Sequence, residues 1–348
     1  MRLAGSGVGT GGAEHDASDG GGAPPTSESM SLPDATPHRS VAPGTGSRRP
    51  LLLPRPATIF VWSVWAALLL VVLVCIARYG HDVPLAEDWL MVAPLTGHEP
   101  SVARWLWAQN NEHRVPLPKL VYLGVLELAG GDFRAGMVVN TLIAALVAAA
   151  MMRTARRLRG GRTSYADAFF PATMLHLGHW ENLVWGWQLQ FVLSAALTCT
   201  LLLVVVRAAP TAPGARDSLV AAAALVLLPL SGANGLIFAV AMAPWAAYAG
   251  AREARGGVTP GARRAGRALV GAVGVALVLV GVYFIDWYSP PWNPPNPGKR
   301  ESLLTAVKFA AMAFGPVASH WWTLAAVGAA AALGPAALLV LRAAGRAR

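Results

Sequence analysis

The sequence predicts an all-α fold: a polytopic transmembrane helix bundle of about eight spans, with short interfacial or re-entrant helices between them. Three observations carry this. Hydrophobic residues make up 55% of the 348 and charged residues only 13%, where an ordinary soluble domain carries roughly a quarter charged. Apolar runs of near-spanning length recur along the chain. Short arginine runs flank them at alternate ends, the mark of cytoplasmic loops.

The formal charge of +10 belongs to the same pattern, because its cations sit mostly beside apolar segments. It reads as topology and not as a nucleic-acid surface. Both cysteines, Cys75 and Cys199, lie inside apolar segments, where a thiol behaves as a small hydrophobe. Neither a disulfide framework nor a cysteine-based zinc site is available. Few lysines against many arginines, with abundant Ala and Gly, match a GC-rich bacterial genome, so the expected location is a bacterial plasma membrane.

Residues 1–56 are expected to form a disordered cytoplasmic tail, since Gly, Ser, Pro, Thr and Asp dominate up to residue 50 and cannot bury enough surface to offset ordering entropy. The transmembrane domain then occupies 57–348. Its first apolar run starts too late and runs too long for a cleaved signal peptide. Arg48, Arg49 and Arg55 precede the first span, 57–79, and place its start in the cytoplasm. The chain therefore emerges outside at Gly80, and the polar loop 80–134 is extracytoplasmic.

Within that loop, Glu99 and Pro100 suit a helix start, and Val102, Trp105, Leu106 and Gln109 repeat at helical spacing. Such a helix would lie flat at the interface. Pro116 and Pro118 are expected to push the residues before them out of the helical region. Residues 117–129 are apolar but shorter than the roughly 17 needed to span. If they crossed, the cluster Arg153, Arg156, Arg157, Arg159 and Arg162 would fall outside, so they read as a surface or re-entrant helix. The second span is then 135–152.

A third span, 164–178, leads out, and a fourth returns by residue 206 to Arg207 and Arg216. Spans 218–230 and 236–248 form a hairpin broken at residues 231–235. The seventh is 268–285, followed by a proline-rich outer loop, a half-crossing helix at 301–318, and a last span at 321–341 ending in arginine. Both termini are cytoplasmic in this scheme. It places all acidic residues after Ala57 outside except Asp167, Asp217 and Glu253.

The chemistry-bearing residues lie on the outer side. Glu87 and Asp88 are adjacent, so they point in different directions on a regular backbone, and one of them, by preference Asp88, is the candidate general base or metal ligand. The bland alternative is a solvated acidic loop. Asn111, Glu112, His113, Arg114 and Lys119 follow, with Arg114 and Lys119 suited to a lipid phosphate; headgroup contact without catalysis competes with that reading. His179, Glu181, Asn182, Trp185 and Gln188 form a third group. On a helix Glu181, Trp185 and Gln188 share a face that offers a carboxylate, an aromatic platform and an amide, as sugar sites do, against the alternative of an aromatic belt. Asn234 lies between glycines in a turn. Lys299 and Arg300 precede a helix start at Glu301 or Ser302, where anions are favoured, or else form a solvated flank.

With these motifs in view, the chain resembles the GT-C superfamily of integral membrane glycosyltransferases and the bacterial multipass membrane proteins related to them. The resemblance rests on Glu87-Asp88 in the first outer loop, the surface helix there, Asn111-Glu112-His113-Arg114 with Pro118-Lys119, and Trp180-Glu181-Asn182 with Trp185-Gly186-Trp187-Gln188. It implies a GT-C-like bundle that moves a sugar from a polyprenyl-phosphate donor to an extracytoplasmic acceptor. Asp88, or Glu87 in its place, would activate the acceptor hydroxyl. Arg114, Lys119 and Arg300 would neutralise the departing phosphate. The expected partners are a polyprenyl-phosphate sugar and membrane lipid, with no nucleic acid. The cofactor stays open, a divalent cation being one option. The chain departs from many members in having fewer spans and no soluble C-terminal domain. A transporter and a non-catalytic lipid-binding or assembly subunit are the rival readings; against the first stand the scarcity of midplane charge and the lack of an internal repeat.

Overall fold

The computed structural model describes residues 55–208, 213–295, 297–311, 320–331 and 334. Its elements are helical throughout: α1 (Pro56–Tyr79), a 3₁₀ turn (Ala86–Met91), α2 (Val92–Leu95), α3 (Val102–Trp107), α4 (Pro116–Leu128) and α5 (Arg134–Leu158). A 3₁₀ turn (Tyr165–Ala168), α6 (Phe169–Met174), a turn (Leu177–His179), α7 (Trp180–Val184), a turn (Gly186–Gln188) and α8 (Leu189–Ala208) follow. The rest comprises α9 (Ala215–Leu227), a turn (Leu228–Ser231), α10 (Ala233–Gly256), α11 (Pro260–Tyr283), α12 (Lys299–Ala311) and a short apolar helix, Trp322–Ala331. Among the described residues no strand forms beyond one isolated bridge, Asn110 with His113.

Five helices are long and apolar enough to cross a membrane: α1, α5, Gly186–Ala208, α10 and α11. This marks a membrane protein. Several expected spans are drawn differently. Residues 164–178 hold no continuous helix; six-residue α6 lies between turns, because His176 accepts the Gly178 N–H through Nδ1 and starts a new turn there. The 218–230 segment is a 13-residue helix, α9, running into a 3₁₀ turn, and 236–248 belongs to the 24-residue α10. The half-crossing 301–318 is seen only as far as Ala311, the last span only as Trp322–Ala331, and the N-terminal tail before Arg55 lies outside the described residues.

Contacts fix the directions of the helices. Thr58 donates to Thr163 (3.0 Å), Trp65 Nε1 donates to the Ala145 carbonyl (2.9 Å), and a Cβ on Gly80 would lie 3.3 Å from Met137 Sδ. α1 and α5 are therefore antiparallel. The chain from Thr163 climbs past Phe60, whose ring meets Tyr165 at 5.4 Å, to Leu175, which packs with Val72 and Ile76. The broken segment thus returns to the end of the bundle that carries Tyr79. From there α8 runs parallel to α5, α9 antiparallel to α8, and α10 and α11 form a tight hairpin. A Cβ on Gly250 would sit 2.9 Å from the Gly266 carbonyl, so glycine lets these two helices touch backbone to backbone.

The arginine end is tied by ion pairs, Arg159 with Asp167 and Arg207 with Asp217. These are two of the three acids expected on that side. The opposite end is closed by the loop between α1 and α5.

Candidate functional site

The loop 80–133 is a folded cap. Asp82 accepts the Phe133 backbone N–H at 2.9 Å and closes it over 51 residues. Ser101 caps α3 by accepting the Arg104 N–H, and α3 ends before Gln109, which instead donates to the carbonyls of Asn111 and Tyr288. α4 starts at Pro116, with Val115 extended as expected. Leu117, however, is helical, because Pro118 falls within the first turn, where amide hydrogens have no helical partner anyway.

Asp88 is buried at 1% exposure. Its Oδ2 accepts the Leu85 N–H (3.2 Å), its Oδ1 accepts the Tyr122 hydroxyl (3.0 Å), and the Trp187 N–H adds a third donor. Burial nonetheless dominates and holds its pKa above the usual carboxylate value. Burial, with the Asp88 charge behind it, pushes the Tyr122 phenol up, so Tyr122 stays a donor. Glu87, one residue earlier in the same turn, is half-buried.

The expected phosphate ligands are also spent internally. Arg114 is buried and donates to the carbonyls of Trp107 (3.0 Å), Tyr283 (3.1 Å) and Ile285 (2.8 Å), while its backbone N–H meets the Tyr283 hydroxyl. Lys119, 2% exposed, donates to the carbonyls of Trp105 and Ala108 and sits 5.2 Å from the Trp105 ring centroid. Both cations cap helix ends. Burial, then the charge of Arg114, lowers Lys119 to about 8. Between that value and the ordinary 10.5 the unfolded chain holds the extra proton, so this site makes stability rise with pH across the window. Thermal unfolding of detergent-purified protein from pH 7 to 10.5 checks it: Lys119→Met is expected to remove that slope, and an unchanged slope would count against it.

Asn111 takes a positive φ of 49° at the tip of a turn in which Asn110 and His113 exchange backbone hydrogen bonds, and Trp287 Nε1 donates to the Glu112 carbonyl. His113 lies 3.5 Å from Glu112. On its other side it reaches a polar niche of about 20 Å³ shared with Gln190, Ser194, Ser231 and Asn234, and its buried Nδ1 has no partner there. That volume is one water's worth.

The helix expected to align Glu181, Trp185 and Gln188 does not form; α7 ends at Val184, Trp185 is extended, and a new turn starts at Gly186. The break arises because Gly186 packs directly on Tyr122 and Gly136, leaving no room for a Cβ. Asn140 donates to the exposed carbonyls of Trp185 and Gly186. Glu181 is left exposed, Gln188 is buried, and Trp185 donates to the Leu85 carbonyl. His179 packs edge-on against His176 at 4.5 Å, and burial, then His176, lowers its pKa. Lys299 and Arg300 fall inside α12, whose start is Lys299 and not Glu301; both are exposed, and Arg300 pairs with Glu301.

The three polar clusters therefore share one end of the bundle without meeting in one cavity. Asp88 and Arg114 turn their polar atoms onto the chain itself. Tyr122, Asp82, Asn140 and Tyr283 are the residues that spacing did not single out. Only Asn140 carried a signal, being an amide inside an apolar span.

What the cap does enclose is an apolar cavity of about 570 Å³. Cys75 and Tyr79 of α1, Val83, Leu85 and Trp180 wall it, and His81 adds a polar group. Among the described residues no three His, Cys, Asp or Glu side chains converge. A divalent cation would rest on one or two carboxylates with the rest of its shell from substrate phosphate and water. No protein family, curated protein or solved structure matches the chain.

Proposed function

We propose that the chain is an integral membrane glycosyltransferase-like protein that takes a sugar from a polyprenyl-phosphate donor at the capped end of its bundle. In this reading the capped end is extracytoplasmic, the arginine end cytoplasmic, and the arrangement GT-C-like with eight crossings. The bundle lies in a bacterial plasma membrane with both termini inside. The broken segment 164–178 and the pair of α9 and its 3₁₀ turn serve as crossings beside the five long helices.

One observation carries the reading: the 570 Å³ apolar cavity is walled by the end of a spanning-length helix and by Leu85, two residues from Glu87 and three from Asp88. An isoprenoid tail fits such walls, and His81 stands where the phosphate would meet the cap. The reaction would join the acceptor oxygen to the anomeric carbon as the bond from that carbon to the phosphate oxygen breaks. The hydroxyl proton passes to a carboxylate and the electron pair to the phosphate. Because both Asp88 oxygens are occupied, half-buried Glu87 is the carboxylate that reaches the hydroxyl, and Asp88 positions its turn.

A second reading, a lipid-binding subunit without chemistry, is favoured by the full internal use of Asp88, Arg114 and Lys119. Transfer from labelled polyprenyl-phosphate sugar separates them. Glu87→Gln is expected to lower transfer by roughly 10²-fold or more, with lipid retention unchanged. Transfer that survives in both Glu87→Gln and Asp88→Asn removes the base, and retention of lipid with no transfer by the wild type selects the second reading.

A further inference from the structure

α7 is a thin wall with a hollow on each side. Trp180 and Val184, four residues apart, line the larger cavity, while His179, Asn182 and Leu183 line a second one of about 190 Å³. This second hollow lies between α5, at Ile143 and Val147, and α8, at Val192, Ala195 and Cys199. Both stripes repeat at helical spacing, so the hollow follows α8 for about 12 Å from Phe191 to Cys199 at 1.5 Å per residue.

Its origin is topological. α5 and α8 run in the same direction, and the chain between them returns through a six-residue helix that stops at Met174. The groove stays open because Ala144, Ala195 and Ala196 are too small to meet across it. Phe191 and Ala195 are exposed, so the hollow opens sideways from a helix long and apolar enough to lie in a bilayer.

Water has little to bond to on such walls, and an empty space would forfeit the dispersion contacts of its lining. The polar side chains of the hollow, His179 and Asn182, both come from the cap side of α7. We infer that this hollow is a second lipid site, holding one acyl chain of a bilayer phospholipid along α8 while His179 and Asn182 hydrogen-bond its headgroup oxygens. It stands apart from the transfer chemistry and needs none of its residues.

The test uses the full chain in nanodiscs doped with a phospholipid that carries a diazirine in mid-chain, and in parallel with a diazirine polyprenyl phosphate. After irradiation, adducts are mapped by peptide mass spectrometry. With the phospholipid probe, adducts at Val192, Ala195 and Cys199 are expected to exceed those at Val278, an exposed site on α11. The excess should be roughly tenfold, the factor that burying about two methylenes supplies. Ala196→Phe, filling the hollow from α8, is expected to abolish that excess and to leave adducts at Cys75, in the other cavity, unchanged. Val147→Phe fills it from α5 and serves if the first variant fails to fold. Even labelling of all exposed helix faces overturns the inference. So do an excess that survives in a folded filled variant and labelling of this hollow by the polyprenyl probe alone.

Discussion

Arg114→Ala is expected to destabilise the folded bundle by about 3–5 kcal/mol, the range for removing one partner from a buried charged network. Three carbonyls lose their donor at once, those of Trp107, Tyr283 and Ile285. They sit at the ends of α3 and α11, where helix carbonyls have no partner of their own. The guanidinium also covers Trp107, 5.7 Å from its ring centroid. Arg114→Lys keeps the charge but offers one compact ammonium in place of a planar fork, so it is expected to recover less than half of the loss. Denaturant titration in detergent, followed by tryptophan fluorescence, reads both variants. An alanine variant within about 0.5 kcal/mol of wild type, the spread of ordinary surface substitutions, would mean that water caps these carbonyls equally well.

Gly186→Ala is expected to cost about 3 kcal/mol, at the upper end of overpacking effects. The new methyl would stand 2.5 Å from Tyr122 Cζ and closer still to its hydroxyl. Tyr122 has nowhere to go: it is 1% exposed, bonded to Asp88, and edge-on to Phe133 at 6.4 Å. The backbone of the Trp185–Gly186 break must shift instead, and with it the Trp187 N–H that serves Asp88. Tyr122→Leu is expected to be damaging alone but to relieve part of the alanine's cost in the double variant. Strict additivity of the two would place the cost elsewhere, since residues in contact are the ones that couple.

Much of the fold was legible because its signals are local. The apolar runs of α1 and α5, the arginines behind them and the short length of α4 are properties of contiguous residues. Segment 164–178 was not legible as a break: its composition is apolar throughout, Pro171 lands in the first turn of α6 where proline is tolerated, and the cap at His176 depends on one side-chain bond. The face shared by Glu181, Trp185 and Gln188 failed for a non-local reason, because the chain turns at Gly186 to meet Tyr122, 64 residues earlier. In the site, residue types were read correctly as acids and cations near one end. Their use was not. Arg114 finds its acceptors 169 and 171 residues away, and nothing in the spacing of Asn111 to Lys119 announces them.

The broken return from Thr163 to Leu175 also bears on how the molecule is made. A stretch whose only regular helix is six residues long offers the insertion machinery no run of roughly 17 to 25 apolar residues to release sideways into lipid. It has to be drawn in afterwards by α1 and α5, already side by side, through the Thr58–Thr163 bond and the Phe60–Tyr165 ring contact. The topology of everything downstream is then settled by folding rather than by synthesis, and a nascent chain lacking α1 would strand α8 the wrong way round.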